Sequence, residues 1–296
     1  MFKKIGAFAA VALLATGVSA CSGVSTASSQ GGGTDTKTIT VALPAGYDDT
    51  VAVTGLWQEL LSERGYKLET KSVDLAAGFS GVARGDLDGY LNAWLPTTHG
   101  TMIEKYKDQL NIFEKPFFDN DRLVLVAPKS VPENTIADVV ANAAKYDSRI
   151  VGIEAGSGEM KILPDVLKKY GATDKLDIVA GSTPATLAAL KDATAKNKPV
   201  VATLWTPHWA FSSMDIKILE DNLQGWPKPD GSYVVLSKDF ASKHADVAKW
   251  LTNFKITEQQ FSDLMLNVSE ASSPTEGAKK WLENADNKKT ADSWFN

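Results

Sequence analysis

AWLPTTH, residues 93–99, and LWTPHW, residues 204–209, repeat one pattern roughly a hundred residues apart. In each, an apolar run ends in tryptophan, a proline follows two residues on, and a histidine comes soon after. The runs that lead in, LDGYLNAWL (87–95) and VVATLW (200–205), are rich in β-branched, aromatic and apolar residues and read as strands. Proline has no N–H to give a ladder, so Pro96 and Pro207 end those strands and are suited to opening the next helix. Trp94 and Trp205 are therefore expected at strand ends.

Outward from these two points the chain alternates. TITVAL (38–43) reads as a strand, followed by a helix with Asp48, Asp49 and Thr50 as N-cap candidates, apolar residues at helical spacing, and Gly65 to terminate it. YKLETKSVD (66–74) reads as a strand, GFSGVARG as a short helix, and THGTMIEKYKDQL as a helix. RLVLVAP (122–128) has the pattern of a buried strand. After it come a helix at IADVVANAAKY, a strand at RIVGIEA (149–155), a helix at MKILPDVLKKYG, a strand at DIVAG and an amphipathic helix at TPATLAALKDATAKN. SYVVLS (232–237) mirrors 122–128, and the C-terminal 55 residues look helical. Such alternation implies α/β architecture, with largely parallel sheets covered on both faces. One strand out and one strand back divide it into two doubly wound lobes joined by a hinge, 38–128 plus 232–296 and 129–231. Ligands of open α/β sheets bind beyond the carboxyl ends of the strands, so both tryptophans project toward a cleft between the lobes.

The chain has 296 residues, 44% apolar and 23% charged, which is globular composition. Residues 1–20 read as a secretory signal: MFKK is a positive start, and the apolar run after it is too short for a span of about 20 residues. Val18-Ser19-Ala20-Cys21 resembles the bacterial lipoprotein box, in which the cysteine is acylated. Cys21 is the single cysteine of the chain, so no internal disulfide is available. Residues 21–37, rich in Ser, Gly and Thr, read as a flexible tether. Lipid anchor plus tether implies an extracytoplasmic domain held beside a membrane. Loss of the first 20 residues removes Lys3 and Lys4 and no acid, taking the formal charge from −5 to −7. With no basic run, nucleic acid is excluded as a partner class. No residue pattern calls for a cofactor, and the spacing of His99 and His208 does not suit a metal.

The strand-end aromatics suggest binding chemistry. Tyr47, Trp94 and Trp205 each follow a strand and should reach the same edge. An aromatic face attracts a cation within about 6 Å by roughly 0.5–2 kcal/mol. Three faces around one point favour a quaternary ammonium, which has no N–H donors to leave unpaired. Trp57, Trp250, Trp281 and Trp294 read as packing residues, whereas Trp209 and Trp226 suit either cleft rim or core. His99 opens a helix and can donate to a carboxylate. In the other lobe Glu154-Ala155-Gly156-Ser157-Gly158-Glu159 follows a strand and opens a helix, and its glycines let backbone N–H groups approach an anion. Together these point to a small zwitterion, its methylated cation in the box and its carboxylate on His99 and the Gly158 and Glu159 amides.

These residues resemble the substrate-binding proteins of compatible-solute ABC importers, the glycine betaine, carnitine and choline binding family. The resemblance spans about residues 38–270. It rests on Ala93–His99 and Trp205–Trp209, with support from 85–88, 152–158 and 217–221. It implies a bilobal periplasmic-binding-protein-like fold of type II that closes on its ligand and docks on an ABC permease with its ATPase subunits. It also implies an aromatic cage at Tyr47, Trp94 and Trp205, with His99, Gly158 and Glu159 on the ligand carboxylate. Two positions depart from the family pattern: Tyr47 replaces a common tryptophan, and Glu159 a residue usually apolar. Asp49 is open between two roles, a helix N-cap or, as in choline-selective relatives, acceptor for a ligand hydroxyl. A betaine-type ligand, carnitine included, is expected, with choline as the alternative. An amino acid, paired through Asp48 or Asp49, is a further one. A hydrolase built on His99 and Ser157 is the rival from another class, but AGSGE lacks the G-x-S-x-G elbow. A structural or adhesive lipoprotein would explain the anchor but not the matched aromatics.

Overall fold

In the computed structural model, residues 37–296 are described. The signal segment, Cys21 and all of the tether but its last residue lie outside them. In chain order the elements are β1 (Thr38–Ala42), α1 (Asp48–Ser62), β2 (Lys67–Lys71), α2 (Leu75–Arg84), β3 (Gly89–Leu95), α3 (Gly100–Glu104), β4 (Leu110–Ile112) and β5 (Phe118–Pro128). There follow α4 (Ile136–Ala141), β6 (Arg149–Val151), α5 (Gly158–Lys169), β7 (Asp177–Val179), α6 (Thr183–Ala195), β8 (Ala202–Thr206), α7 (Ala210–Ser213), β9 (Ile216–Ile218) and β10 (Asp230–Ser237). Helices α8 (Phe240–Lys243), α9 (Ala245–Asn253), α10 (Glu258–Glu270), α11 (Pro274–Leu282) and α12 (Ala285–Ser293) complete the chain.

The strands run in the order β2-β1-β3-β10-β5-β8-β6-β7, with β4 on β10 and β9 on β5. The β1–β2, β1–β3, β6–β7 and β6–β8 pairs are parallel, as βαβ crossovers require. The pairs made by β5 and β10 are antiparallel. β5 is shared between two halves: Phe118 and Asp121 pair with β10, whereas Arg122 to Val126 pair with β8 and Val126 to Pro128 with β9. The architecture is thus α/β and bilobal, with β5 leading out of the first lobe and β10 returning to it.

Several local expectations change. Pro96 and Pro207 do not open helices: each follows a cis peptide bond in a turn, and helices begin only at Gly100 and Ala210. The strand expected through residue 155 stops at Val151, because the Ile153 N–H turns to the Thr203 hydroxyl, 3.1 Å away. The helix expected after Thr98 is one turn, followed by a 3-10 turn at Lys107–Gln109 and then β4. Strands of three residues such as β4 and β9 show no usable period, which is why neither was legible.

Two helix starts carry side-chain caps that the sequence reading did not single out. Ser157 accepts the Met160 N–H to cap α5, and Thr257 with Gln260 forms a capping box on α10. In the first lobe α1 packs on α11, and Trp57 stacks on Trp294 at 5.9 Å and meets Phe254 edge-on at 5.5 Å. Trp57, Trp281 and Trp294 are fully buried, so the C-terminal helices are locked onto the first lobe by indole rings. Each such ring removes about 150–250 Å² from water, on the order of 4–6 kcal/mol as an upper bound.

Candidate ligand-binding site

Period-two alternation on β3 puts Tyr90, Asn92 and Trp94 on one face, where they meet the first turn of α1. The Asn92 amide donates to Asp49 Oδ2 (2.6 Å) and to the Thr50 hydroxyl (3.3 Å). The Trp94 indole Nε1–H donates to the same Asp49 oxygen at 3.1 Å. Asp49 is therefore no N-cap. It is the second residue of α1, Tyr47 occupies the cap position without a side-chain bond, and the Asp49 carboxylate orients the Trp94 ring. Burial lifts the Asp49 pKa to about 6; hydrogen bonds from the Thr50 N–H, Asn92 and Trp94 oppose the rise, and the neighbouring Asp48 charge adds to it. Asp49 Oδ1 has no hydrogen-bond partner among the described residues.

His99 is set by the same strand end. Its Nδ1 accepts the Trp94 backbone N–H at 3.0 Å, and its own N–H returns to the Trp94 carbonyl at 2.9 Å. With Nδ1 an acceptor, the proton of the neutral ring sits on Nε2. Burial, with Lys161 adding to it, depresses the His99 pKa to about 3, so the ring is an uncharged donor at neutral pH. The loop before it is clamped by Asp230 of β10, which accepts from the Thr97 N–H (2.7 Å), the Thr98 N–H (2.8 Å) and the Thr98 hydroxyl (2.6 Å).

The second lobe supplies the facing wall. At the start of α5, Gly158 and Glu159 lie in the first turn, where the helix offers their N–H groups no acceptor. A Cβ on Gly158 would overlap the Thr98 carbonyl, so glycine is what lets the two lobes touch here. Trp205, opposite Leu123 in the β5–β8 register, meets His208 edge-on at 4.7 Å. His208 does not enter the site. Its Nδ1 accepts the Ala210 N–H, and burial lowers its pKa to about 3. Trp209 spans between lobes, its Nε1–H donating to Asp48 Oδ2 at 2.6 Å, and Trp226 packs against the second-lobe core.

Tyr47, Asp49, Trp94, His99, Gly158, Glu159 and Trp205, the residues singled out from sequence, line one shared cavity. Trp94 belongs to a cluster of buried apolar residues otherwise drawn from β5 and the second lobe, Trp205 among them. Sequence reasoning missed Thr50, Tyr90, Thr98, Leu123 and Ile153 in the wall, and Asn92 behind it. For Tyr90 and Asn92 a signal existed: they precede Trp94 by four and two residues on an alternating strand. Ser157 also lines the cavity, but its hydroxyl serves as the α5 cap, and a His99 protonated on Nε2 is not poised as a general base toward it.

Comparison with known proteins agrees with this geometry. Residues 37–284 match the family model described as the substrate binding domain of ABC-type glycine betaine transport system. The glycine betaine/carnitine transport binding protein GbuC of Listeria monocytogenes is 29% identical over 174 residues, 55% of this chain; the match spans 58% of the length of that relative. The lactococcal OpuAC structure, closed and complexed with glycine betaine, superposes with a TM-score of 0.80 at 29% identity, over 88% of this chain and all of that one. An ABC-transporter choline binding protein in complex with choline shares the fold, with a TM-score of 0.75 at 20% identity over 87% and 91% of the two chains. Bilobal fold, strand-end tryptophans and family match agree: the chain belongs to the family of substrate-binding domains of ABC-type glycine betaine transport systems, which are binding proteins and not enzymes.

Proposed function

We propose that the chain captures a quaternary-ammonium compatible solute of the betaine type, such as glycine betaine, proline betaine or carnitine, and delivers it to an ABC permease. Tyr47, Trp94 and Trp205 form the cage around the methylated cation. His99 Nε2–H and the N–H groups of Gly158 and Glu159 take the carboxylate. The lobes, divided near residues 128 and 231, close over the ligand, and the closed form docks on the permease and its ATPase subunits. The protein stays extracytoplasmic through a lipid on Cys21, released from membranes by Cys21→Ser on fractionation.

The observation that carries this reading is that rings from both lobes share one cavity with an uncharged histidine donor. A desolvated ring is worth up to about 2 kcal/mol to a cation, so three rings offer at most about 6 kcal/mol, and the carboxylate contacts must supply the rest of the affinity against association costs of about 4 kcal/mol or more. A thermal-shift and calorimetric panel of glycine betaine, proline betaine, carnitine, choline and trimethylamine oxide tests it. Absence of binding to all of them rejects the cage. Choline is the second reading, favoured by the release of Asp49 from capping and by its partnerless Oδ1.

A further inference from the structure

Glu159 is a buried carboxyl group without a well-formed hydrogen bond. It lies in the cavity wall, 2% exposed, and neither Oε1 nor Oε2 reaches hydrogen-bond geometry with any described residue. Burial pushes its pKa well above the usual carboxylate range, with the Leu204 backbone N–H acting the other way. No lysine or arginine lines the cavity, and its remaining charged candidate, Asp49, has the same sign. A buried acceptor without a donor is costly and is normally avoided. An apolar residue at the same place would remove that cost, so the carboxyl is explained by a donor that arrives from outside the chain.

The ligand must bring that donor. Glycine betaine has none: its nitrogen carries only methyl and methylene carbons, so in its complex the acceptor lone pairs of Glu159 stay unpaired. A trimethylammonium solute with a hydroxyl has one O–H, a few bonds from the cation. We infer that the Glu159 side chain is a specificity-determining ligand contact, accepting the hydroxyl of a hydroxyl-bearing trimethylammonium ligand that the site prefers to glycine betaine. The inference rests on the cage reading above and adds to it a role for the Glu159 side chain, distinct from that of its backbone N–H. Carnitine and choline share the required chemistry. Carnitine also presents a carboxylate to His99, and choline does not.

The test is isothermal titration of L-carnitine, choline and glycine betaine into the wild-type chain, Glu159→Met and Glu159→Val, with His99→Ala as the arm that separates the first two ligands. In the wild type at least one hydroxyl-bearing ligand binds at least tenfold more tightly than glycine betaine, about 1.4 kcal/mol. In Glu159→Met that ratio falls to within about threefold, because hydroxyl binding weakens and betaine binding improves. His99→Ala weakens carnitine and spares choline if carnitine is the physiological type. Melting of the ligand-free Met variant is no lower than wild type, since an unpaired buried carboxyl has gone, so Met decides should Val fail to fold. A ratio unchanged in the variants, or a wild type that binds glycine betaine as tightly as the others, overturns the inference and leaves the cage intact. A wild type that binds none of the three overturns the cage itself.

Discussion

Trp205→Ala is the sharpest test of the cage. The ring is 4% exposed and its Nε1–H has no hydrogen-bond partner among the described residues, so truncation removes a face and its packing but no directed bond. Trp94 would be a less clean target, because its indole also holds Asp49. One ring of a desolvated cage contributes about 1–2 kcal/mol to a cation, and each 1.4 kcal/mol is tenfold in Kd. The expected loss is therefore five- to thirtyfold, at its upper end if water enters the space left behind. Trp205→Phe keeps a flat face of weaker quadrupole and should lose only about two- to fivefold. Truncating a buried tryptophan also costs about 3–5 kcal/mol of stability, so near-ultraviolet circular dichroism must first show the Ala variant folded. Calorimetry with the tightest ligand of the panel then gives Kd. A folded Trp205→Ala variant with Kd within twofold of wild type refutes the reasoning, since a ring that can be deleted freely is not holding the cation.

Other outcomes follow from single observations. Asp49 has a ligand-free pKa of about 6, raised first by burial. A bound cation favours its ionised form, so binding releases a proton and Kd should rise by up to about tenfold per pH unit as pH falls below about 6; titration calorimetry should find that slope gone in Asp49→Asn. In the ligand-free fold the same raised pKa contributes stability that is fully present below the ordinary value of 3.8 and lost as pH rises through about 6. Gly158→Ala places a methyl group against the Thr98 carbonyl, which should hold the lobes apart and weaken binding more than tenfold with little change in melting temperature, measured side by side. Asp230→Ala strips three hydrogen bonds from the loop before His99 and should lower stability by about 3 kcal/mol or more, read as a shifted denaturant midpoint at unchanged slope.

Much of the fold was legible because its signals are local. Strand and helix periods at β1, α1, β3, β5, α5, α6, β8 and β10 are carried by contiguous residues. The two tryptophan–proline stretches revealed the strand ends that face the cleft, because a chain cannot continue a ladder through proline. The two cavity tryptophans were legible for the same reason: Trp94 and Trp205 are the penultimate residues of β3 and β8, where the strand reaches the sheet edge before its turn.

What the sequence determined by itself, then, is the alternation of elements, the family pattern, and the set of residues that gather at the carboxyl edge. What only tertiary structure decided is how each polar atom is used there. Asp49 turned from cap to ring holder through Asn92 and Trp94, 43 and 45 residues away. His99 became an Nε2–H donor through the Trp94 backbone, Asp230 reached back 132 residues to clamp Thr98, and Glu159 was left buried without a partner. Protonation, tautomer and hydrogen-bond satisfaction depend on burial and on neighbours brought in by packing, and no local period encodes either.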